Sequence, residues 1–366
     1  MMKIKDVVKY LETIAPPVYQ ETYDNSGLLV GSPKNDLTGI LVTLDVTEEI
    51  IDEAAHEGVN MILAHHPLIF KGVKRITGAH WVERCIISAI KKDIAIYAIH
   101  TNLDNVSQGV NAKIAEKLNL TNTKILSPKP DTLSKLVTFV PKENTDTVLQ
   151  AMYEAGAGEI GNYDHCSFSS EGEGTFRPGD QSNPTLGSRG AEETVSENRL
   201  ELIFPSFKSG QIIAALKQNH PYEEVAYYLS SLANKNQDVG SGIVGELKEP
   251  MDAASFLKHL KQTMQTNVIR HTQIHKDAVK KIAVCGGAGS FLLGKAKSVN
   301  ADVFITGDFK YHEFFEADND IIIADIGHYE SEQFTKELLY DSIKKKFSDL
   351  HIIESKTSTN PVQYLF

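Results

Sequence analysis

Cysteine is scarce in this chain: 366 residues hold three, Cys85, Cys166 and Cys285, widely spaced and odd in number. They form neither a Cys-x-x-Cys metal motif nor a disulfide framework, so each reads as a small apolar packing residue in a reducing compartment. Positive charge is in deficit too. Lys and Arg number 37 against 48 Asp and Glu, a formal net charge of −11. Nonspecific nucleic-acid binding needs many basic contacts to phosphate and is disfavoured by that balance. No apolar run approaches the ~18 residues of a membrane-spanning helix, and the opening Met-Met-Lys-Ile-Lys-Asp lacks the apolar stretch of a secretory signal. The expectation is a cytoplasmic protein with neither a membrane nor a nucleic-acid partner.

What is present is ordinary in bulk. Hydrophobic residues at 41% and charged residues at 23% are those of a globular protein, and the length suggests two domains or three. Over residues 1–127 strand-like and helix-like stretches alternate. Ile40–Asp45 is a short β-branched run and Val59–Ala64 and Ile94–Ile99 read as the next strands, while Thr47–His56 carries helical spacing, with Thr47 placed to cap it, and His80–Lys92 reads as the next helix. Alternation of this kind predicts a mostly parallel sheet with helices on its faces. Ligand sites in such sheets lie at the carboxyl ends of the strands.

Residues 128–237 have a different texture. Leu136–Val140 reads as a strand, Thr145–Ala155 as a helix, Tyr163–Phe176 as an alternating segment rich in Ser, Gly and Glu, and Arg177–Arg189 as a loop. Leu200–Phe204, Gly210–Asn219 and Val225–Leu229 then read as strand, helix and strand. Two successive βαβ patterns without a histidine–carboxylate motif predict an inserted α+β domain of ferredoxin-like type. Over 238–366 the first texture returns, with a helix at Ala253–Met264 and strands at Lys281–Cys285, Asp302–Thr306 and Ile321–Ala324. The outer segments also resemble each other: Val59–His66 matches Ala301–Asp308, and the next strand of each is followed by His100…Asp104 or His328…Glu332. A weak internal repeat predicts an α/β core of two related halves interrupted by the insert.

Histidines cluster where these strands stop. His65 and His66, closed by Pro67, end the run from Val59, and imidazole is the commonest metal ligand at neutral pH. A His and a carboxylate four apart at a helix start share one face, as His328 and Glu332 do if a helix begins at His328. His65, His66, Asp104, His328 and Glu332 together supply three imidazoles and two carboxylates. That is too many for one open catalytic ion and enough for two divalent ions sharing a carboxylate. Such mixed donors favour Zn, Mn, Fe or Co over Ca or Mg, and paired ions imply hydrolysis of a phosphate, amide or amidine-like carbon. His100 is placed to orient a ligand. Asp308 is either an outer acid or base or a helix N-cap. Lys71, Lys310 and His312 flank the site, where they contact an anionic substrate or are simply solvated. Gly286-Gly287-Ala288-Gly289-Ser290 is open to two readings, a backbone cradle for phosphate or a tight turn with close packing.

Taken together, Asp24–Leu28, Ala64–Pro67, His100–Asp104, Cys285–Ser290, Thr306–Asp308 and Gly327–Glu332 resemble the Ngg-interacting factor three family, whose members carry the name GTP cyclohydrolase I type 2 homologue. The resemblance implies a dinuclear centre with His65, His66, Asp104, His328 and Glu332 as ligands, Glu332 bridging, in a ring-shaped homohexamer. Glu173–Gly179 and His220–Glu224 make the insert similar to that of longer bacterial members, which is PII/CutA-like. Two functions follow as expectations. One is a metal-dependent hydrolase of a nucleotide or phosphorylated small molecule, with GTP ring opening as the family's name suggests. The other is a non-enzymatic metal-binding assembly whose insert senses a small-molecule effector.

Overall fold

Strands buried at every residue need cover on both faces, and the first half of the core supplies it. The computed structural model describes residues 2–365. Helix α1 (Ile4–Ile14) precedes strands β1 (Gly27–Val30) and β2 (Ile40–Thr43), helix α2 (Glu48–His56), β3 (Met61–Ala64), α3 (Trp81–Lys91) and β4 (Ala95–Ala98). Thr47 caps α2 as expected, its side chain accepting from the Ile50 N–H. The short α4 (Thr101–Asp104) and α5 (Val110–Lys117) complete this half. Its sheet runs β1-β4-β3-β2-β15, where β15 (Ile352–Glu354) comes from the far end of the chain. All neighbours are parallel except β1, which lies antiparallel on β4.

The second sheet is built on the same plan. Strands β5 (Thr121–Pro128), β10 (Gly240–Asp252), β11 (Arg270–His271), β12 (Ala278–Ala288), β13 (Val303–Gly307) and β14 (Ile322–Asp325) are arranged β11-β14-β13-β12-β10-β5. Within it β12, β13 and β14 are parallel and β11 is antiparallel on β14. The set β1-β4-β3-β2 thus has its counterpart in β11-β14-β13-β12, edge strand included. Helices α8 (Ala253–Thr263), α9 (Leu293–Ser298), α10 (His328–Glu332) and α11 (Thr335–Lys346) belong to this half. A single helix starting at His328 is not what forms: the chain turns at Gln333 and Phe334 between α10 and α11.

Period-two alternation assigns each strand residue to a layer. Ile40, Val42, Met61, Leu63 and Tyr97 of the first sheet share one core with Ile282, Val284, Val303, Ile305 and Ile322 of the second, together with α1, α5, α8 and α11. The opposite face of the first sheet (Leu41, Ile62, Ile96) is covered by α2 and α3. That of the second (Ala283, Phe304, Ile323) is covered by α9 and the turn after β13. The α/β class expected from the sequence holds.

Pro128–Gln237 forms a separate compact unit. Its order is β6 (Leu133–Pro141), α6 (Thr145–Glu154), β7 (Ser167–Phe176), β8 (Glu193–Pro205), α7 (Ser209–Asn219) and β9 (Tyr227–Leu232). The sheet β7-β8-β6-β9 is antiparallel throughout, a split-βαβ arrangement. Leu136, Val140, Val148, Met152, Leu202, Phe204, Ile212 and Leu216 give it a core of its own. Among the described residues no helix is long and apolar enough to cross a membrane.

Phe256 on α8 is wholly buried in the core between the two sheets. Phe256→Ala is expected to cost about 3–5 kcal/mol, the sum of lost transfer energy and the cavity left behind. The shift in the urea-unfolding midpoint measures it. A loss below ~1 kcal/mol would show that this layer is not close-packed.

Candidate metal centre

Each residue of the centre stands just beyond the carboxyl end of a parallel strand. Asp45 follows β2, His65 and His66 follow β3, His100 and Asp104 follow β4, Asp308 follows β13, and His328 with Glu332 follow β14. Backbone bonds extend the ladder to the histidines: His65 N–H donates to Thr43 O at 3.2 Å and His66 N–H to Leu44 O at 2.9 Å. The two rings do not splay apart; their centroids are 4.9 Å from each other.

One nitrogen of every histidine here is fixed by an oxygen. His65 Nδ1 lies 2.8 Å from the Ile99 carbonyl oxygen. A carbonyl only accepts, so Nδ1 carries a proton and donates, which leaves Nε2 for the inner side of the centre. His66 Nδ1 donates to Asp45 Oδ1 at 2.7 Å, His328 Nδ1 to Asp308 Oδ2 at 2.7 Å, and His100 Nδ1 to Asp24 Oδ1 at 2.8 Å. Supporting carboxylates and carbonyls of this kind set the tautomer and aim of metal-binding imidazoles. Asp45 is itself held by Thr359 Oγ1 at 2.6 Å.

On the inner side the donors converge. His66 Nε2 is 2.9 Å from Glu332 Oε2 and 3.3 Å from His328 Nε2, which is 3.2 Å from the same oxygen. Its other oxygen, Oε1, faces His65 Nε2 at 3.8 Å, and that nitrogen is 3.6 Å from Asp104 Oδ1. His65 Nε2 and Asp104 Oδ1 are buried and have no hydrogen-bond partner among the described residues, an arrangement that costs about 1–3 kcal/mol per group in an ordinary core. A zinc ion with ~2.0–2.2 Å bonds sets tetrahedral ligands roughly 3.3–3.6 Å apart, close to the spacing of these orphaned atoms. Among the described residues three groups could hold a metal ion: His65, Asp104 and Glu332; His66, His328 and Glu332; and His65, His66 and His100. The donor atoms present fit a divalent metal ion.

The charges are arranged to suit. Burial pulls the His66 pKa down, but its bonds to Asp45 and Glu332 prevail and raise it to about 10; the same balance with Asp308 and Glu332 puts His328 at about 11. Burial, then the nearby Glu332 charge, pushes Asp104 up to about 7. Burial works against ionised Glu332 as well, yet the hydrogen bonds with His328 and His66 hold its pKa well below the usual range. His66 and His328 are thus cationic in the metal-free chain at pH 7. Their folded pKa values exceed the ~6.5 of an unfolded histidine, so the stability they contribute is complete below about 6.5. It is lost as the pH rises through about 10 to 11.

The glycine loop is resolved in favour of packing. Gly286 N–H donates to Asn111 Oδ1, Gly287 N–H to Ser331 Oγ and Gly289 N–H to Thr306 Oγ1, each at 2.9 Å. With these amides spent inside the fold, no phosphate cradle forms from them. A Cβ on Gly287, whose φ is +61°, would lie 2.5 Å from Glu332 Oε1. The loop lets the chain pass close to that carboxylate. Asp308 is not the N-cap of the next helical turn, where Lys310 stands; it takes a left-handed φ of 58° and supports His328. His312 packs with exposed Tyr311 and Phe315 and joins none of the three groups, and Lys71 and Lys310 are exposed. Asp45, Thr359 and Asn111 escaped the sequence reading. Asp45 had a signal, its place just past a strand end; the other two had none.

A family model, Duf34/NIF3 (NGG1p interacting factor 3), matches residues 2–361. A Bacillus subtilis protein named GTP cyclohydrolase 1 type 2 homolog is 40% identical, covering 99% of this chain and 98% of its own. Among solved structures, a Bacillus cereus protein related to NIF3 superposes with a TM-score of 0.88 at 38% identity, covering 100% of this chain and 99% of its own. A Staphylococcus aureus protein gives a TM-score of 0.80 at 30% identity with the same coverage.

Zinc binding by the stripped chain is expected to displace the protons held on His66 and His328. Titration calorimetry at pH 7 in buffers of different ionisation enthalpy should show about two to three protons released per chain, two from the histidines and a further fraction from Asp104, with affinity rising as pH is raised. Heats independent of the buffer would contradict the protonation scheme.

Proposed function

The chain belongs to the Duf34/NIF3 family, and on that premise we propose that it is a metal-dependent hydrolase using two divalent ions. His65 and Asp104 would hold one, His66 and His328 the other, and Glu332 both. The observation that carries this reading is the division of one buried carboxylate between two donor groups, Oε1 toward His65 and Oε2 toward His66 and His328. Mixed imidazole and carboxylate donors favour zinc, with Mn, Fe and Co as further occupants. When bound, paired ions of this class supply Lewis acidity and an acidified water.

The protein's own part is positional. The ion pairs with Asp45 and Asp308 keep the two rings facing inward, and the Ile99 carbonyl does the same for His65. The substrate class is a nucleotide or a phosphorylated small molecule, GTP being the choice suggested by the name of the relatives. The homohexamer is part of the same proposal, as is a PII/CutA-like character for the insert.

A second reading is favoured by the insert. Pro128–Gln237 is a separate unit with its own core, and no candidate ligand lies in it. A metal-binding assembly in which that unit senses a small molecule needs no turnover.

Screening the metal-reconstituted protein for hydrolysis of nucleotides and phosphoesters separates the two. The hydrolase reading predicts turnover that falls by at least about a hundredfold in Glu332→Ala, since loss of even an outer support commonly costs 10–100-fold. Turnover indifferent to Glu332→Ala would defeat the mechanism. Tight metal binding without turnover on any substrate would favour the sensor.

A further inference from the structure

The pseudo-repeat puts His100 and Asp104 of the first half in the places of His328 and Glu332 in the second. Both pairs are four residues apart, and each closes one short helical turn, His100 as the N-cap of α4 and His328 as the first residue of α10; both follow equivalent strands, β4 and β14, each flanked by an antiparallel edge strand. Asp104 and Glu332 already face the same histidine, His65. His328 reaches the centre through Nε2 while a carboxylate holds its Nδ1.

His100 is built the same way. Its Nδ1 donates to Asp24 Oδ1 at 2.8 Å, and the Asp24 side chain is wholly buried. That carboxylate is pinned by the Asn25 N–H at 2.7 Å, Ser26 Oγ at 2.9 Å, the Thr101 N–H at 3.0 Å and the Thr101 hydroxyl. So many fixed donors on the partner of one ring specify where its other nitrogen points. The His100 ring lies 5.3 Å, centroid to centroid, from both His65 and His66, and a ligating nitrogen of each lies within 4.8 Å of the others.

His220 shows what a histidine kept for structure alone looks like in this chain. Its Nε2 donates to the Phe139 carbonyl and its Nδ1 accepts from the Tyr222 N–H, so both nitrogens are spent. His100 Nε2 makes no hydrogen bond among the described residues, although the residue is 9% exposed.

We propose that His100 is the fourth imidazole of the centre, a metal ligand through Nε2 that Asp24 orients, rather than a support for another ligand. This rests on the two-ion reading above.

The test is proton NMR of the full chain reconstituted with Co(II). Each bound imidazole contributes a hyperfine-shifted, solvent-exchangeable Nδ1–H resonance, and all four of these protons are held by an oxygen acceptor. Four such resonances are expected, from His65, His66, His100 and His328. His100→Ala should remove one and leave three, and Asp24→Asn should move or broaden that same one while sparing the rest. Three resonances in the unaltered chain, with the pattern unchanged in His100→Ala, would overturn the assignment alone. No shifted resonance at all would overturn it together with the two-ion reading. Because the count in the unaltered chain decides, the test stands even if one variant folds poorly.

Discussion

One buried carboxylate, Glu332, is where the two halves of the core answer to each other. It is brought from the end of β14 to within reach of His65 and His66 at the end of β3, and to His328 on its own helix. Nothing about a glutamate favours a fully enclosed position without compensation, so everything around it must supply charge, donors and room. The imidazoles supply the first two. The room comes from Gly286 and Gly287, where any side chain would press on the carboxylate or its stem.

That arrangement needs rings that cannot turn away. An imidazole with one nitrogen tied to an oxygen has only the other to offer, and the fold applies this rule repeatedly with acceptors drawn from different segments: Ile99 O, Asp45 and Asp308. The support for His66 runs one step further, through Asp45 to Thr359 near the end of the chain. Orphaned atoms at His65 and Asp104 are then tolerable because strands β3 and β4, which lead to them, are buried at every residue and close-packed. Packing holds open a polar arrangement that the metal-free site alone would not favour.

Much of this was legible in the sequence, for definite reasons. Ile40–Thr43 is a β-branched run and Met61–Ala64 an apolar one, both short and buried, and ligand sites in α/β sheets lie at strand ends, which is where His65, His66, Asp104, His328 and Glu332 fall. The repeat was readable because each half keeps a histidine and a carboxylate four apart. Side-chain partners were not readable. That Asp24 serves His100 across 76 residues, or Thr359 serves Asp45 across 314, is set by tertiary packing and leaves no local pattern. The glycine loop shows the opposite failure. Its composition fits an anion cradle as well as a close-packed turn, and only the partners of its amides, Asn111, Ser331 and Thr306, distinguish them.

On the proposed two-ion reading, a single shared carboxylate, Glu332, organises both ions. The most direct measurement of this is the zinc content of the folded chain after stripping, reconstitution and removal of excess metal, counted against protein concentration. Two ions per chain are expected, with both sites weakened together in Glu332→Ala. One ion or none in the unaltered chain, or a variant that loses a single ion and keeps the other at full affinity, would contradict it.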